Sequence, residues 1–234
     1  MPLLKSFVRR ALADRGWALR REPSLAAFLD AHGVDLVIDV GANEGQFAAR
    51  LRRDGYVGQM LSIEPVARAY AELVETASHD TKWETMRTAL GEVAGEAEMA
   101  VSKDSAYSSL RALKADALST HKDAATVAVE SVPVTTLDTV MAGREAMRPF
   151  VKIDVQGFER EVLAGAANTL KMVAGLQLEL SAHVLYEGGW SFAEGVKALD
   201  ALGFVPAQIR PVWFDPDHPA SAGEFDVVFR RKDT

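Results

Sequence analysis

No cysteine occurs in the chain. Disulfides and thiolate metal sites are excluded, and the composition fits a reducing cytoplasm. Long apolar runs are also missing. None approaches the roughly 20 residues that a membrane-spanning helix needs, so stable membrane insertion is not expected. Positive charge is scarce after the first 21 residues. Those hold six basic groups and one acid, a local +5, which leaves −12 on the remainder of a chain whose net charge is −7. An acidic body repels a polyanion, so nucleic acid is not expected as a partner.

The basic start is a different kind of surface. Leu4, Phe7, Val8, Ala11 and Leu12 recur at near-helical spacing and predict an amphipathic helix. It lacks the apolar region and small-residue cleavage site of a signal peptide. Packing on the domain or on a second copy of the chain, as a homodimer, is the expected use; contact with an anionic membrane is the alternative. With 234 residues, the chain divides into a helical extension, 1–33, and one large α/β domain, 34–234.

From residue 34 strand and helix alternate. Val34–Val40 reads as a strand, Glu44–Asp54 as a helix, Gln59–Glu64 as a strand, Val66–Ala77 as a helix and Lys82–Ala89 as a strand. After strands at Glu96–Ser102 and Thr126–Thr135 the alternation resumes. Phe150–Val155 is a strand, Glu159–Leu170 a helix and Leu176–Leu180 a strand. Ser191 with Glu194 forms a capping box opening a helix that Gly203 ends. Phe204–Phe214 and Phe225–Arg230 form a closing hairpin. The pattern predicts a Rossmann-like doubly wound sheet of about seven strands. The polar stretch Lys103–Ala125 reads as an insertion, either covering a site or exposed on the surface.

Candidate chemistry lies at strand ends. Val37-Ile38-Asp39-Val40-Gly41-Ala42-Asn43-Glu44-Gly45 is an apolar strand that ends in an acid and passes into a glycine turn. The glycine that would complete a dinucleotide-binding Gly-x-Gly-x-x-Gly is replaced, with Asn43 in its third position. No basic residue follows to hold phosphates. Asp39 and Glu44 instead favour a cationic ligand, and S-adenosylmethionine, with its sulfonium and ammonium groups, has the right sign. Glu64 ends the next strand about 20 residues later, where a carboxylate can accept ribose hydroxyls; alone it would read as an acid opening a helix at Pro65. Asp154 and Glu179 end two further strands. As a pair of hard oxygen ligands they suit Mg²⁺, or else they are ion-paired to Lys152, Arg160 or Arg210. His183, four residues past Glu179, is a candidate general base near neutral pH or a structural histidine. His218 is a weaker candidate for the same rim. Tyr186, Trp190 and Trp213 can stack on a sugar ring or serve as packing.

Three blocks carry a resemblance: Ile38-Asp39-Val40-Gly41-Ala42-Asn43-Glu44-Gly45, Ser62-Ile63-Glu64-Pro65 and Lys152-Ile153-Asp154-Val155-Gln156-Gly157-Phe158-Glu159. With Thr88-Ala89-Leu90-Gly91 and Thr136-Leu137-Asp138 they make residues 34–230 similar to the FkbM-type S-adenosylmethionine-dependent O-methyltransferases. Gln156 departs from the glutamate usual in the family. The resemblance implies a mostly parallel sheet with an antiparallel last strand. It implies that Asp39, Gly41, Asn43 and Gly45 surround the methionine end of the cofactor, that Glu64 holds the ribose, and that the segment around Ala89 borders the adenine. It also implies Mg²⁺ on Asp154 and Glu179, and a sugar or polyketide hydroxyl as acceptor. The Ala-, Arg- and Asp-rich composition looks actinobacterial, and the short chain is similar to sugar O-methyltransferases of methylated mannose or rhamnose glycan biosynthesis. The expected activity is therefore O-methylation of a saccharide hydroxyl, with Asp154 or His183 as base. The alternatives are a lipid or polyketide acceptor, or a non-catalytic binding module on the same fold.

Overall fold

The computed structural model describes residues 10, 12, 14, 23–115, 117, 122–144, 146–215, 218 and 220–233. The predicted amphipathic helix at the start lies almost wholly outside the described residues. The first described helix, α1 (Leu25–Ala31), is capped by Ser24 and buries Leu25, Phe28 and Leu29. No helix among the described residues is long and apolar enough to cross a membrane.

Strand β1 (Leu36–Val40) is buried along its whole length, as expected for a parallel strand covered on both faces. Its side chains alternate between two cores. Leu36, Ile38 and Val40 face one cluster. Val37 faces the other, with Phe28 and Leu29 of α1 and Phe150. This period-two division is what makes a central strand read as a continuous apolar run.

Around β1 the chain builds a seven-stranded sheet. It runs β1, α2 (Gln46–Arg53), β2 (Gln59–Ile63), α3 (Ala67–Ala77) and β3 (Trp83–Met86) toward one edge. It then returns to the other side of β1 with β7 (Pro149–Ile153), α5 (Glu159–Ala164), β8 (Gly175–Ser181) and α6 (Phe192–Ala201), and ends in β9 (Phe204–Phe214) and β10 (Ala222–Arg231). The strand order is β3-β2-β1-β7-β8-β10-β9. β10 pairs antiparallel with both β8 and β9, and the other pairs are parallel. The expected sheet is therefore present, down to its antiparallel last strand. β4 (Ala89–Leu90), β5 (Gly95–Ser102) and β6 (Thr126–Thr135) form a second, three-stranded sheet, and α4 (Leu137–Val140) follows it.

Two readings of the sequence are corrected. Glu159–Leu170 is not one helix. Gly165 O accepts from Asp138 N, and the carboxylate of Asp138 takes the amides of Asn168 and Thr169 at 2.8–3.1 Å. The hydrogen bonds that would continue α5 are diverted to another element, so the helix stops at Ala164. Likewise Lys82–Ala89 is two strands serving different sheets. The capping box is present, with Ser191 N donating to Glu194 Oε2 at 2.9 Å and Ser191 Oγ accepting from Glu194 N.

The order in which strands are added reverses between β1 and β7, which run parallel. Such a switch point leaves a crevice beyond the carboxyl ends of the strands, and the candidate residues converge on it.

Candidate active site

The turn after β1 is fastened to β2. Gly41 N and Ala42 N both donate to Ile63 O at 3.0 Å. Gly41 has φ +75°, and a Cβ at this position would lie 1.8 Å from Asp154 O. Glycine is thus required both by the left-handed backbone and by the approach of β7. Gly41→Ala is expected to lower the melting temperature by several degrees and to abolish ligand binding at the turn, both readable by thermal shift; a native melting curve would contradict this placement. Asn43, also left-handed at φ 48°, donates its N–H to Glu64 Oε2 at 2.9 Å, and Val66 N donates to Glu64 Oε1 at 2.9 Å. The carboxylate that ends β2 thereby braces the turn that ends β1.

A cavity of about 640 Å³ opens over these strand ends. Gly41, Ala42, Asn43 and Glu64 line it, as do Thr88, Ala89 and Leu90. Farther along the strand order come Asp154, Glu179, Glu224 and Asp226, with Trp213. The segment after β5 lies against it through Ser105, Tyr107 and Ser108. Ser105 Oγ donates to Asn43 Oδ1 at 2.7 Å, and Ser109 Oγ donates to Gln156 O at 2.6 Å. The described start of the insertion thus lines the cavity and is tied to both glycine turns.

Two of the residues expected to surround a ligand do not line the cavity. Asp39 is 1% exposed and lies below the turn, facing Lys152 Nζ at 3.2 Å. Burial pushes its pKa up, opposed by the Lys152 charge. Gly45 caps α2 at φ +88° and abuts Leu73 and Trp83, away from the crevice. The left-handed backbone and the packing of the helix start are enough to require glycine here.

Lys152 makes the ion pair with Asp154 that the sequence offered as an alternative to a metal, and it pairs with Asp39 as well, which the sequence did not show. It stands opposite Asp39 in the β1–β7 register. Its ammonium lies 3.2 Å from Asp39 Oδ1, 3.2 Å from Asp154 Oδ2 and 3.3 Å from Gly41 O. Burial would lower its pKa, yet the charges of Asp154 and Asp39 outweigh burial and hold it above the usual lysine range. Glu224 and Asp226 were also missed. The antiparallel register sets Asp226 opposite Glu179 and Glu224 opposite Ser181. The signal available was two acids at alternate positions in an otherwise apolar strand, Glu224-Phe225-Asp226-Val227-Val228-Phe229.

Crowded buried carboxylates hold protons. The negative charge of Asp154, then burial, pushes Glu179 up to about 9. Burial, then Asp154, pushes Glu224 up to about 7. Burial pushes Glu64 up to about 7 against its two backbone donors, and Glu159 to about 7 likewise. A carboxylate whose folded pKa lies above its unfolded value stabilises the fold below the unfolded value, and that contribution is lost as pH rises through the folded one. Across about pH 5 to 9 the folded chain therefore holds protons that the unfolded chain has released. The ligand-free protein is expected to melt at a lower temperature at pH 9 than at pH 6; a melting temperature that rose over this range would contradict the burial of these groups.

Asp154 and Glu179 are brought together, but the groups around them do not suit Mg²⁺. Gln156 Nε2 lies 2.8 Å from Asp154 Oδ1 and 3.4 Å from Glu179 Oε1. The other Asp154 oxygen faces Lys152. Tyr186 Oη donates to Gln156 Oε1 at 2.8 Å, which turns the N–H side of the amide onto the carboxylates. Hydrogen-bond donors thus occupy the position where a hard cation would need oxygen lone pairs. Among the described residues no three His, Cys, Asp or Glu side chains are grouped to hold a metal.

His183 is exposed and does not line the cavity. It lies beyond the end of β8, where the chain has left the strand ends. It is Tyr186, three residues on, that reaches the crevice through Gln156. His218 pairs with Asp215 at 2.8 Å on the surface. Trp190 packs under Arg160, whose guanidinium carbon lies 5.3 Å from the ring centroid.

Residues 39–206 match the methyltransferase FkbM domain. No curated protein matches the chain in sequence. Solved structures of similar fold include the methyltransferase domain of a bacterial Hen1, 12% identical, covering 88% of this chain and 94% of that one, with a TM-score of 0.48. Fibrillarin of Aeropyrum pernix in complex with S-adenosyl-L-methionine is 11% identical, covers 83% and 66%, and has a TM-score of 0.45. A putative tRNA (m1A22) methyltransferase of Streptococcus pneumoniae, also in complex with S-adenosyl-L-methionine, is 11% identical, covers 87% and 72%, and has a TM-score of 0.46.

Proposed function

We propose that this chain, which belongs to the FkbM methyltransferase family, transfers the methyl group of S-adenosylmethionine to a hydroxyl of a saccharide. The observation that carries the reading is that a glycine turn braced by Glu64 and a wall of carboxylates share one cavity. S-adenosylmethionine supplies an electrophilic methyl group on its sulfonium. The Gly41–Asn43 turn would receive the methionine portion, Glu64 would accept the ribose hydroxyls, and Thr88–Leu90 would border the adenine.

Asp154, Glu224 and Asp226 supply acceptor oxygens for sugar hydroxyls, and the Trp213 ring, which also lines the cavity, offers a stacking face. Asp154 would take the proton of the reacting hydroxyl, whose oxygen would receive the methyl group as the S–CH3 bond breaks and S-adenosylhomocysteine leaves. His183, which stands outside the cavity, takes no part. Lys152 fixes the Asp154 carboxylate and so positions the base. Holding the two reactants together accounts for much of the rate. The carboxyl groups of Asp154, Glu179, Glu224 and Asp226 offer a polyhydroxyl acceptor several hydrogen-bond partners on one wall, while Phe47, Leu90, Met99 and Phe158 line other parts of the cavity. The net negative charge of the chain disfavours RNA.

Calorimetric titration with S-adenosylmethionine tests the cofactor half. Wild type is expected to bind at micromolar concentration. Glu64→Ala is expected to bind at least about tenfold more weakly, because it loses hydrogen bonds to a charged acceptor worth about 1.5–3 kcal/mol each. No binding by folded wild type would favour the non-catalytic module.

A further inference from the structure

Gln156 is held at three points. Its backbone carbonyl accepts from Ser109 Oγ, its amide oxygen accepts from Tyr186 Oη, and its amide nitrogen faces Asp154 and Glu179. The turn that carries it is closely packed. Gln156 has φ 54°, a backbone region costly for a side chain of this kind. Gly157 follows at φ +94°, packed so closely that a Cβ would lie 2.4 Å from Tyr186 Cβ. Tyr186 is itself buried. Rotating the amide would cost the Tyr186 hydrogen bond and turn its oxygen toward two carboxylates. Its present orientation is therefore the one the surroundings enforce.

Two carboxyl groups this close disfavour each other's ionisation, and a positive or donating group between them relieves that repulsion in part. A divalent cation is one solution, and requires oxygen ligands converging at about 2.0–2.1 Å for Mg²⁺. This chain carries another: an amide nitrogen with one hydrogen for each carboxylate, and the Lys152 ammonium on the far oxygen of Asp154.

We propose that the Gln156 carboxamide, oriented by Tyr186, occupies the position of a divalent cation between Asp154 and Glu179, so that the acceptor site works without a metal. The proposal rests on the reading of Asp154 as part of the acceptor site, but its test needs no turnover. Mn²⁺ would be titrated into the folded chain with the free ion read by electron paramagnetic resonance, for wild type, Asp154→Asn, Gln156→Glu, and Gln156→Glu combined with Asp154→Asn. Wild type is expected to bind no Mn²⁺ more tightly than about 1 mM. Gln156→Glu replaces the donor by a third carboxylate. It is expected to gain a single site at least about tenfold tighter, which the added Asp154→Asn removes. A stoichiometric wild-type site that Asp154→Asn abolishes would overturn the proposal. So would a folded Gln156→Glu chain that gains no site, because the amide would then not be what keeps the cation out. Should Gln156→Glu fail to fold, the wild-type titration decides alone. Failure of the methyl-transfer reading would appear separately, as absence of cofactor binding.

Discussion

Lys152→Met is expected to cost about 3–5 kcal/mol of folding stability, as removal of one partner from a buried ion pair does. Lys152 is 7% exposed and Asp39 beside it 1%, so water has little access to replace the lost partner. The buried Asp39 carboxylate would be left without the ammonium that faces it. Denaturant unfolding would read the loss as a lower midpoint at unchanged slope. The loss should shrink in acid, since burial already pushes the Asp39 pKa up and protonation removes the stranded charge. The double variant Lys152→Met with Asp39→Asn should recover part of it, because the two members are then removed together. A single-variant cost under about 1 kcal/mol, the value of an exposed pair, would show that Lys152 does not anchor the strand ends.

Asp154→Ala is expected to lower methyl transfer by at least about a hundredfold, the lower end for loss of a positioned acid–base group. Affinity for S-adenosylmethionine should stay within about threefold, because the turn, Glu64 and the Thr88–Leu90 segment are untouched. The fold should survive, since Lys152 keeps Asp39. Normal turnover in this variant would sink the acceptor-site assignment. Loss of turnover together with loss of cofactor affinity would mean that Asp154 holds the turn and has no chemical role.

The parts of the structure legible in the sequence were those that local chemistry determines. Val37–Gly41 is apolar because β1 is buried on both faces, and its glycine marks a backbone that no side chain allows. Glu64 shows itself by its distance from that turn. Ser191 and Glu194 cap a helix without help from elsewhere. What was not legible depends on register and on distant partners. Glu224 and Asp226 reach the site only because β10 inserts antiparallel beside β8, and no local pattern encodes that. Helix α5 stops where Asp138, more than twenty positions earlier, captures its next amides. Asp39 ends an apolar strand as a ligand-binding acid would, yet the register places it against Lys152 instead of the cavity. His183 has suitable chemistry close to Glu179 in sequence, but the chain has turned away from the strand ends by that point. Gln156 looked only like a missing charge until the Tyr186 hydroxyl fixed which way its amide points.

The most direct measurement is methyl transfer from isotope-labelled S-adenosylmethionine into a panel of mannose- and rhamnose-containing mono- and oligosaccharides, with lipid, polyketide and RNA arms alongside, read by mass spectrometry with and without EDTA. A labelled methyl ether on a sugar hydroxyl, formed equally in both conditions and lost in Asp154→Ala, is the expected result. Label that enters only a lipid, polyketide or RNA acceptor, or no acceptor at all despite bound cofactor, would contradict saccharide O-methylation.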